Sequence, residues 1–254
     1  MNYLKVNHTV LIGSGALENA WAPVYRAIQR ASGHIVNDPE TANLFMASLV
    51  FRPRYHRDYL EKCRPHEIEI QRNQLQKTTV KLRDFKRILA EELRRSTVDK
   101  EIILRSQQAD IIRKYIDIDH TMIVTTNWNT YELEALGPRL FLAIHGNLLK
   151  SDAIYLPSET SVDFSLTRDQ SVYSGAIHCE AILALQKSSL IVFWGLGINA
   201  LDIEVTILLT EAFKTKNKIG EKYKVMIFDK EPDKIEARLE LFGVNGASIE
   251  KVKV

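Results

Sequence analysis

Short apolar runs alternate along the chain with longer stretches in which apolar residues recur at helical spacing. Val6–Ile12, Met122–Thr125, Phe141–Ile144, Leu190–Trp194, Val225–Phe228 and Ile249–Val252 are compact runs that predict strands. Ala20–Arg30, Gly175–Lys187, Asp202–Lys214 and Glu231–Phe242 predict helices. The strands are apolar on both faces and helices separate them, as in a parallel sheet covered on both sides. Between the first strand and the rest lies a long helical zone, Pro39–Tyr115, with no glycine. Leu82, Phe85, Ile88, Leu89 and Leu93 recur within it at helical spacing. A lone strand cannot stand, so the first strand must join the later sheet and the helical zone is an insertion. The expected fold is α/β: a Rossmann-like, doubly wound, mostly parallel sheet. It forms one domain over 1–254, with an α-helical insertion sub-domain at 39–115.

Composition narrows the class. The chain has 254 residues, 45% hydrophobic and 26% charged, enough to bury a sizeable core. No apolar stretch is long enough to span a membrane, and Met1–Val10 lacks a secretory pattern. Two cysteines, Cys63 and Cys179, cannot build a disulfide framework or a four-cysteine zinc site. A soluble, cytoplasmic protein is expected. The net charge of +2 hides an asymmetry: Phe51–Lys114 holds 17 Lys/Arg against 10 Asp/Glu. Such a surplus suits either a solvated face of long helices or an acidic or nucleic-acid-associated partner. Few aromatics interleave with the charges, which weakens direct nucleic-acid binding.

Doubly wound sheets bind ligands at the carboxyl ends of their strands. The polar clusters at those ends are Gly13-Ser14-Gly15-Ala16, Thr125-Thr126-Asn127-Trp128-Asn129, His145-Gly146-Asn147, Gly195-Leu196-Gly197-Ile198-Asn199 and Asp229-Lys230. The first is either a phosphate cradle or a tight turn. Gly195 and Gly197 form a second glycine-rich loop on the same edge, and Gly15 and Gly197 stand where backbone would approach a dinucleotide. Asn127 could orient a water or an amide, and His145 could act as general base. Asp229 could bind the adenosine side or support the helix that follows. His178 reads as packing within a helix. No nucleophile elbow, Walker loop or His-Glu-x-x-His pair is present.

Four of these clusters, in this order, resemble the sirtuins. Gly13-Ser14-Gly15-Ala16 matches the first NAD loop, Thr126-Asn127-Trp128-Asn129 the Gln-Asn-Ile-Asp block, and His145-Gly146 the catalytic His-Gly. Gly195-Leu196-Gly197 stands for the later Gly-Thr-Ser loop. Deacylase sirtuins carry a four-cysteine zinc ribbon after the His-Gly block, whereas residues 151–173 here contain no cysteine, and Asn129 replaces the family's Asp. The chain therefore resembles the sirtuin-like NAD hydrolase domains of bacterial anti-phage defence. That resemblance implies an NAD glycohydrolase releasing nicotinamide and ADP-ribose, with NAD as substrate, no required cofactor and no metal. It gives Asn127 and His145 the catalytic roles. It places Gly13, Ser14, Gly15, Ala16, Thr126, Asn129, Gly195, Gly197, Asn199 and Asp229 around the nucleotide. It also implies a homo-oligomer joined to a second protein, such as a HerA-like translocase ATPase or an Argonaute-like subunit. Nucleic acid would be reached only through that partner, with no membrane involved. The chain ends at its last predicted strand, so control is expected in trans, with the helical zone as contact surface.

Two other readings fit some of the residues. One is a non-catalytic subunit that binds NAD or ADP-ribose. The other is an NAD(P)-dependent oxidoreductase, in which Ile35–Asp38 is a second strand whose terminal Asp38 binds a ribose. No Tyr-x-x-x-Lys pair accompanies it. A deacylase fits least, for want of the zinc ribbon.

Overall fold

The computed structural model describes residues 6–129, 136–137, 140–148, 154–162, 168–199, 201–244 and 247–253. In chain order the described elements are β1 (His8–Ile12), β2 (Leu17–Glu18), α1 (Ala22–Ser32), α2 (Pro39–Leu60), α3 (Ile68–Val98), β3 (Ile103–Leu104) and α4 (Ser106–Arg113). Then come β4 (Thr121–Thr125), β5 (Leu140–Ala143), α5 (Glu159–Val162), α6 (Arg168–Lys187), β6 (Leu190–Trp194), α7 (Ile203–Ile219), β7 (Lys224–Asp229), α8 (Pro232–Leu241) and β8 (Ser248–Lys253).

Six strands form one sheet in the order β5-β4-β1-β6-β7-β8, and every neighbouring pair is parallel. Alternation along each strand fills both faces. Val10, Ile12, Val192, Trp194 and Phe228 point to one side, where Ala109 and Ile112 of α4 cover them. Leu11, Val124, Phe193 and Ile227 point to the other, against Leu185 of α6, Leu208 and Phe213 of α7, and Leu239 of α8. Helices on both faces of a parallel sheet make this a doubly wound α/β fold. Among the described residues no helix is long and apolar enough to cross a membrane.

The helical module has its own core. Val24 and Ile28 of α1, Met46 of α2, and Leu82, Phe85, Leu89 and Leu93 of α3 pack together. The apolar stripe of α3 is thus consumed by packing and offers no free contact surface. Two boundaries differ from expectation. The module recruits α1, which precedes residue 39. It also yields α4, whose apolar face lies on the sheet. A charged cluster ties α1 to α3: Arg26 Nε and Arg30 Nη1 donate to Glu92 at 2.8 and 2.6 Å. Burial pushes Glu92 up, and the two guanidiniums outweigh it, so its carboxyl lies below the usual range.

The two-residue strands β2 and β3 pair antiparallel, Leu17 with Leu104 and Glu18 with Ile103. Runs that short carry no periodicity, so the sequence hides them. This ribbon brings the chain back from the helical module to the end of β1. Residues 34–37 are irregular rather than a strand, and Ile35 is 82% exposed. Asp38 caps α2, accepting from Thr41 N at 2.8 Å, and follows an irregular segment rather than the strand that the oxidoreductase reading expects.

Candidate functional site

Strand β1 lies between β4 and β6, so the chain winds outward in both directions from it. That is the switch point at which such sheets open a crevice at their carboxyl edge. A cavity of about 1090 Å³ opens there. Of the residues expected around a ligand, Gly13, Ser14, Gly15, Thr126, Asn127 and Asn129 line it. So do His145, Gly195, Gly197, Asn199 and Asp229. Ala16 does not: it is fully buried in the core on the α4 face of the sheet.

The glycine rim is a contact between two loops. Gly15 N–H donates to Gly195 O at 2.8 Å, and Gly13 N–H to Trp194 O at 3.0 Å. Ala16 N–H turns back to Gly13 O at 3.1 Å. A Cβ on Gly13 would meet Gly195 O at 2.6 Å, and one on Gly15 would meet Gly195 Cα at 2.8 Å. The glycines are therefore required by each other, and these three N–H groups are already spent. Residues 14–16 form a single tight turn that leads into β2, and α1 begins only at Ala22. No helix start stands behind the loop to favour an anion. Beyond the rim, Ile198 is held at φ +42, a strained setting for a β-branched residue. Arg238 Nη1 donates to the carbonyls of Gly197 and Ile198 and holds that loop in place.

The opposite wall is polar and buried. Asn127 follows β4, and its Nδ2 donates to Gly13 O at 3.2 Å, joining the wall to the rim. His145 follows β5 and is 2% exposed. Its Nδ1 lies 3.3 Å from Thr126 O and its Nε2 lies 3.3 Å from Asp202 Oδ1. Both ring nitrogens face acceptors, which suits a doubly protonated ring. Burial pulls the imidazole pKa down, but the Asp202 charge and hydrogen bond outweigh it and push it up to about 9. Asp202 is lowered: burial opposes its charge, and the imidazolium and the α7 N-terminus prevail. It caps α7, accepting from Val205 N at 3.2 Å.

No protein-family model, curated protein or solved structure matches the chain.

Asp202 is the residue that sequence reasoning missed. The sequence pattern makes it the first residue of a helix, and a capping position gives no sign of a partner 57 residues away. Glu204 stands beside it, so ligand atoms of His145, Asp202 and Glu204 lie within 4.8 Å of one another. Such a trio has the composition of a cation site. However, Glu204 Oε1 accepts from Thr160 Oγ1 at 2.7 Å and Oε2 from Ser158 N at 2.5 Å. The trio is better described as a hydrogen-bonded chain that stiffens His145. His178 lies behind it on α6. Burial lowers its pKa, and its Nε2 has no hydrogen-bond partner among the described residues. Asn129 Oδ1 is likewise buried without a partner among the described residues. Asp229 Oδ1 accepts from Glu231 N at 2.9 Å, and Asn199 Oδ1 from Leu201 N at 3.0 Å. Both line the cavity and shape its turns at once.

Proposed function

We propose that this cleft binds NAD and hydrolyses its nicotinamide–ribose bond, releasing nicotinamide and ADP-ribose. One observation carries the reading. Asn127, Asn129 and His145 leave two adjacent strands and line the same cavity as both glycine loops, at the sheet's switch point. Cleavage of a glycosidic bond passes through an oxocarbenium-like centre, and nicotinamide leaves without strong acid assistance. The chain must then hold the ribose, exclude water from the rest of the site, and place one nucleophilic oxygen. Asn127 is fixed across β1 and β4 and presents its amide where the ribose would lie. Asn129 Oδ1, buried without a partner among the described residues, suits the N–H of the nicotinamide carboxamide. Asp202 supplies negative charge behind His145 as positive charge develops on the sugar. His145 serves as base only after losing a proton, so turnover rises with pH toward about 9. An anti-phage role, an oligomer and a partner protein rest on the sequence resemblance alone.

The test is incubation with NAD followed by chromatography for nicotinamide and ADP-ribose. His145→Ala and Asn127→Ala should each lower turnover at least a hundredfold without unfolding the protein. Wild-type rates in both variants would overturn the assignment. A second reading, a binder of NAD without turnover, draws support from one feature: both His145 ring nitrogens are engaged. Binding of NAD with no nicotinamide release, alone or with a partner, would favour it.

A further inference from the structure

Much of the glycine rim is closed to a phosphate. Gly13, Gly15 and Ala16 have spent their N–H groups on carbonyls within the protein. Two of the cations on the far side of the cleft are already engaged within the protein. Arg238 donates to two loop carbonyls and Lys234 pairs with Glu231 at 3.4 Å, while Lys230, just after β7, lines the cavity on that far side. Arg105 differs from these. It lines the cavity beside Gly13–Gly15, its Nε is buried, and that Nε has no partner among the described residues. The side chain has no ion pair there either, although acidic residues are plentiful in the helical module.

Its backbone is held from both sides. Arg105 N–H donates to Ala16 O at 3.1 Å, one step beyond the β2–β3 pairing. Its carbonyl accepts from Gln108 N at 3.1 Å and Ala109 N at 3.3 Å, opening α4. A rigidly presented arginine with a desolvated, unpaired Nε is costly unless an anion completes it. A guanidinium matches the oxygens of a phosphate in a two-point fork.

We propose that Arg105 is the anion-recognition residue of the cleft and that it takes a diphosphate. The choice of a diphosphate rests on the nucleotide reading above; the anion site itself rests on Arg105. The ribbon that leaves the helical module thereby contributes to ligand binding. It carries the charge that the glycine loop lacks, so a bound diphosphate bridges ribbon and sheet.

The experiment is calorimetry with inorganic pyrophosphate, ADP and adenosine, on the wild type, Arg105→Gln and Arg105→Lys. Wild type should bind pyrophosphate and ADP. Arg105→Gln should weaken both by about ten- to a hundredfold, and Arg105→Lys by less, since it keeps a point charge without the fork. Adenosine binding should change less than about twofold in either variant, because it has no phosphate to lose. Should the variants fold poorly, phenylglyoxal labelling of the wild type serves instead. Arg105 should react, and pyrophosphate should protect it, as read by peptide mass spectrometry. Equal pyrophosphate affinity in wild type and Arg105→Gln, no diphosphate binding by wild type, or no protection would each overturn the proposal. NAD turnover separates the two readings. Arg105-dependent pyrophosphate binding without NAD cleavage would sink the hydrolase and leave this site standing. Cleavage with unchanged KM in Arg105→Gln would do the reverse.

Discussion

At the rim of the cleft, Gly13, Gly15 and Gly195 meet backbone to backbone, closed by the 2.8 Å bond from Gly15 N to Gly195 O. At the wall, His145 and Asp202 meet through charged side chains 3.3 Å apart. The rim is held by shape: there is room for no atom beyond Cα. The wall is held by charge: a buried imidazolium and a buried carboxylate each keep the other ionised. Substitutions at the rim should therefore act sterically and respond little to pH. Those at the wall should act through protonation and respond strongly to it.

The largest effect is expected at Gly195→Ala. A Cβ there would lie 2.1 Å from Ala16 N and 2.2 Å from the Gly15 carbonyl carbon. Both obstacles are backbone, so no change of rotamer relieves them. The residue also sits at φ +58, where a side chain adds strain. Chemical denaturation should show a loss of about 3 kcal/mol or more, the same at pH 6 and pH 9. A loss below about 1 kcal/mol would mean that the two loops can part freely, and the rim would no longer be a steric device.

Asp202→Asn comes next and probes the wall. Asn still caps a helix, so the start of α7 should survive. What goes is the counter-charge of His145. A shift from 6.5 to about 9 corresponds to roughly 3 kcal/mol of preference for the charged ring. The folded value lies above the unfolded one. The stabilisation is therefore complete below pH 6.5 and lost as pH rises through about 9. The lowered Asp202 gives the opposite sign: its contribution is present above 3.8 and lost as pH falls through its folded value. The gap between wild type and Asp202→Asn should thus be about 2–3 kcal/mol near pH 6 and close toward pH 10. Any NAD turnover should shift its rising limb to lower pH in the variant. A gap independent of pH would show that the pair is structural only.

The sequence made the two regions legible to different degrees, for physical reasons. The inner strands could be read because both faces of the sheet are buried there, which turns β4 and β6 into unbroken buried runs, whereas the edge strand β8, SIEKVK, keeps only Ile249 and Val252 as apolar signal. Leu190–Trp194 matches residue for residue, and the other strands differ only at their ends. The glycines could be read because a missing side chain shows in the sequence, although their purpose differed: they admit each other. The wall was half visible. Asn127 and His145 stand at strand ends, whereas Asp202 is joined to them only by the crossing of α6 and β6. Arg105 was one of seventeen basic residues between Phe51 and Lys114, with nothing in the sequence to set it apart. Its distinction is the β2–β3 ribbon, two residues per strand and too short for any periodic signal. Ile35–Asp38 carried a strand-like pattern and folds as an irregular lead into α2.

The smallest effect on stability is expected at Gly197→Ala, and for that reason it is the cleanest probe of the ligand. Gly197 lines the cavity, as the rim glycines do, but a Cβ there would meet nothing within 4 Å. Neither its φ nor a neighbour requires glycine. Gly15→Val cannot separate the two roles, because its side chain would strike Gly195 whether or not a ligand is present. At Gly197 any need for glycine comes from something the protein chain alone does not contain. Stability should change by less than about 0.5 kcal/mol, since no packing is altered. NAD affinity, measured by calorimetry, should fall several-fold if the dinucleotide backbone runs along this loop, because the added methyl occupies the space of approach. Unchanged affinity would place the ligand elsewhere in the cleft, between Arg105 and the His145 wall, and would leave Gly197 without a structural or ligand-imposed need for glycine.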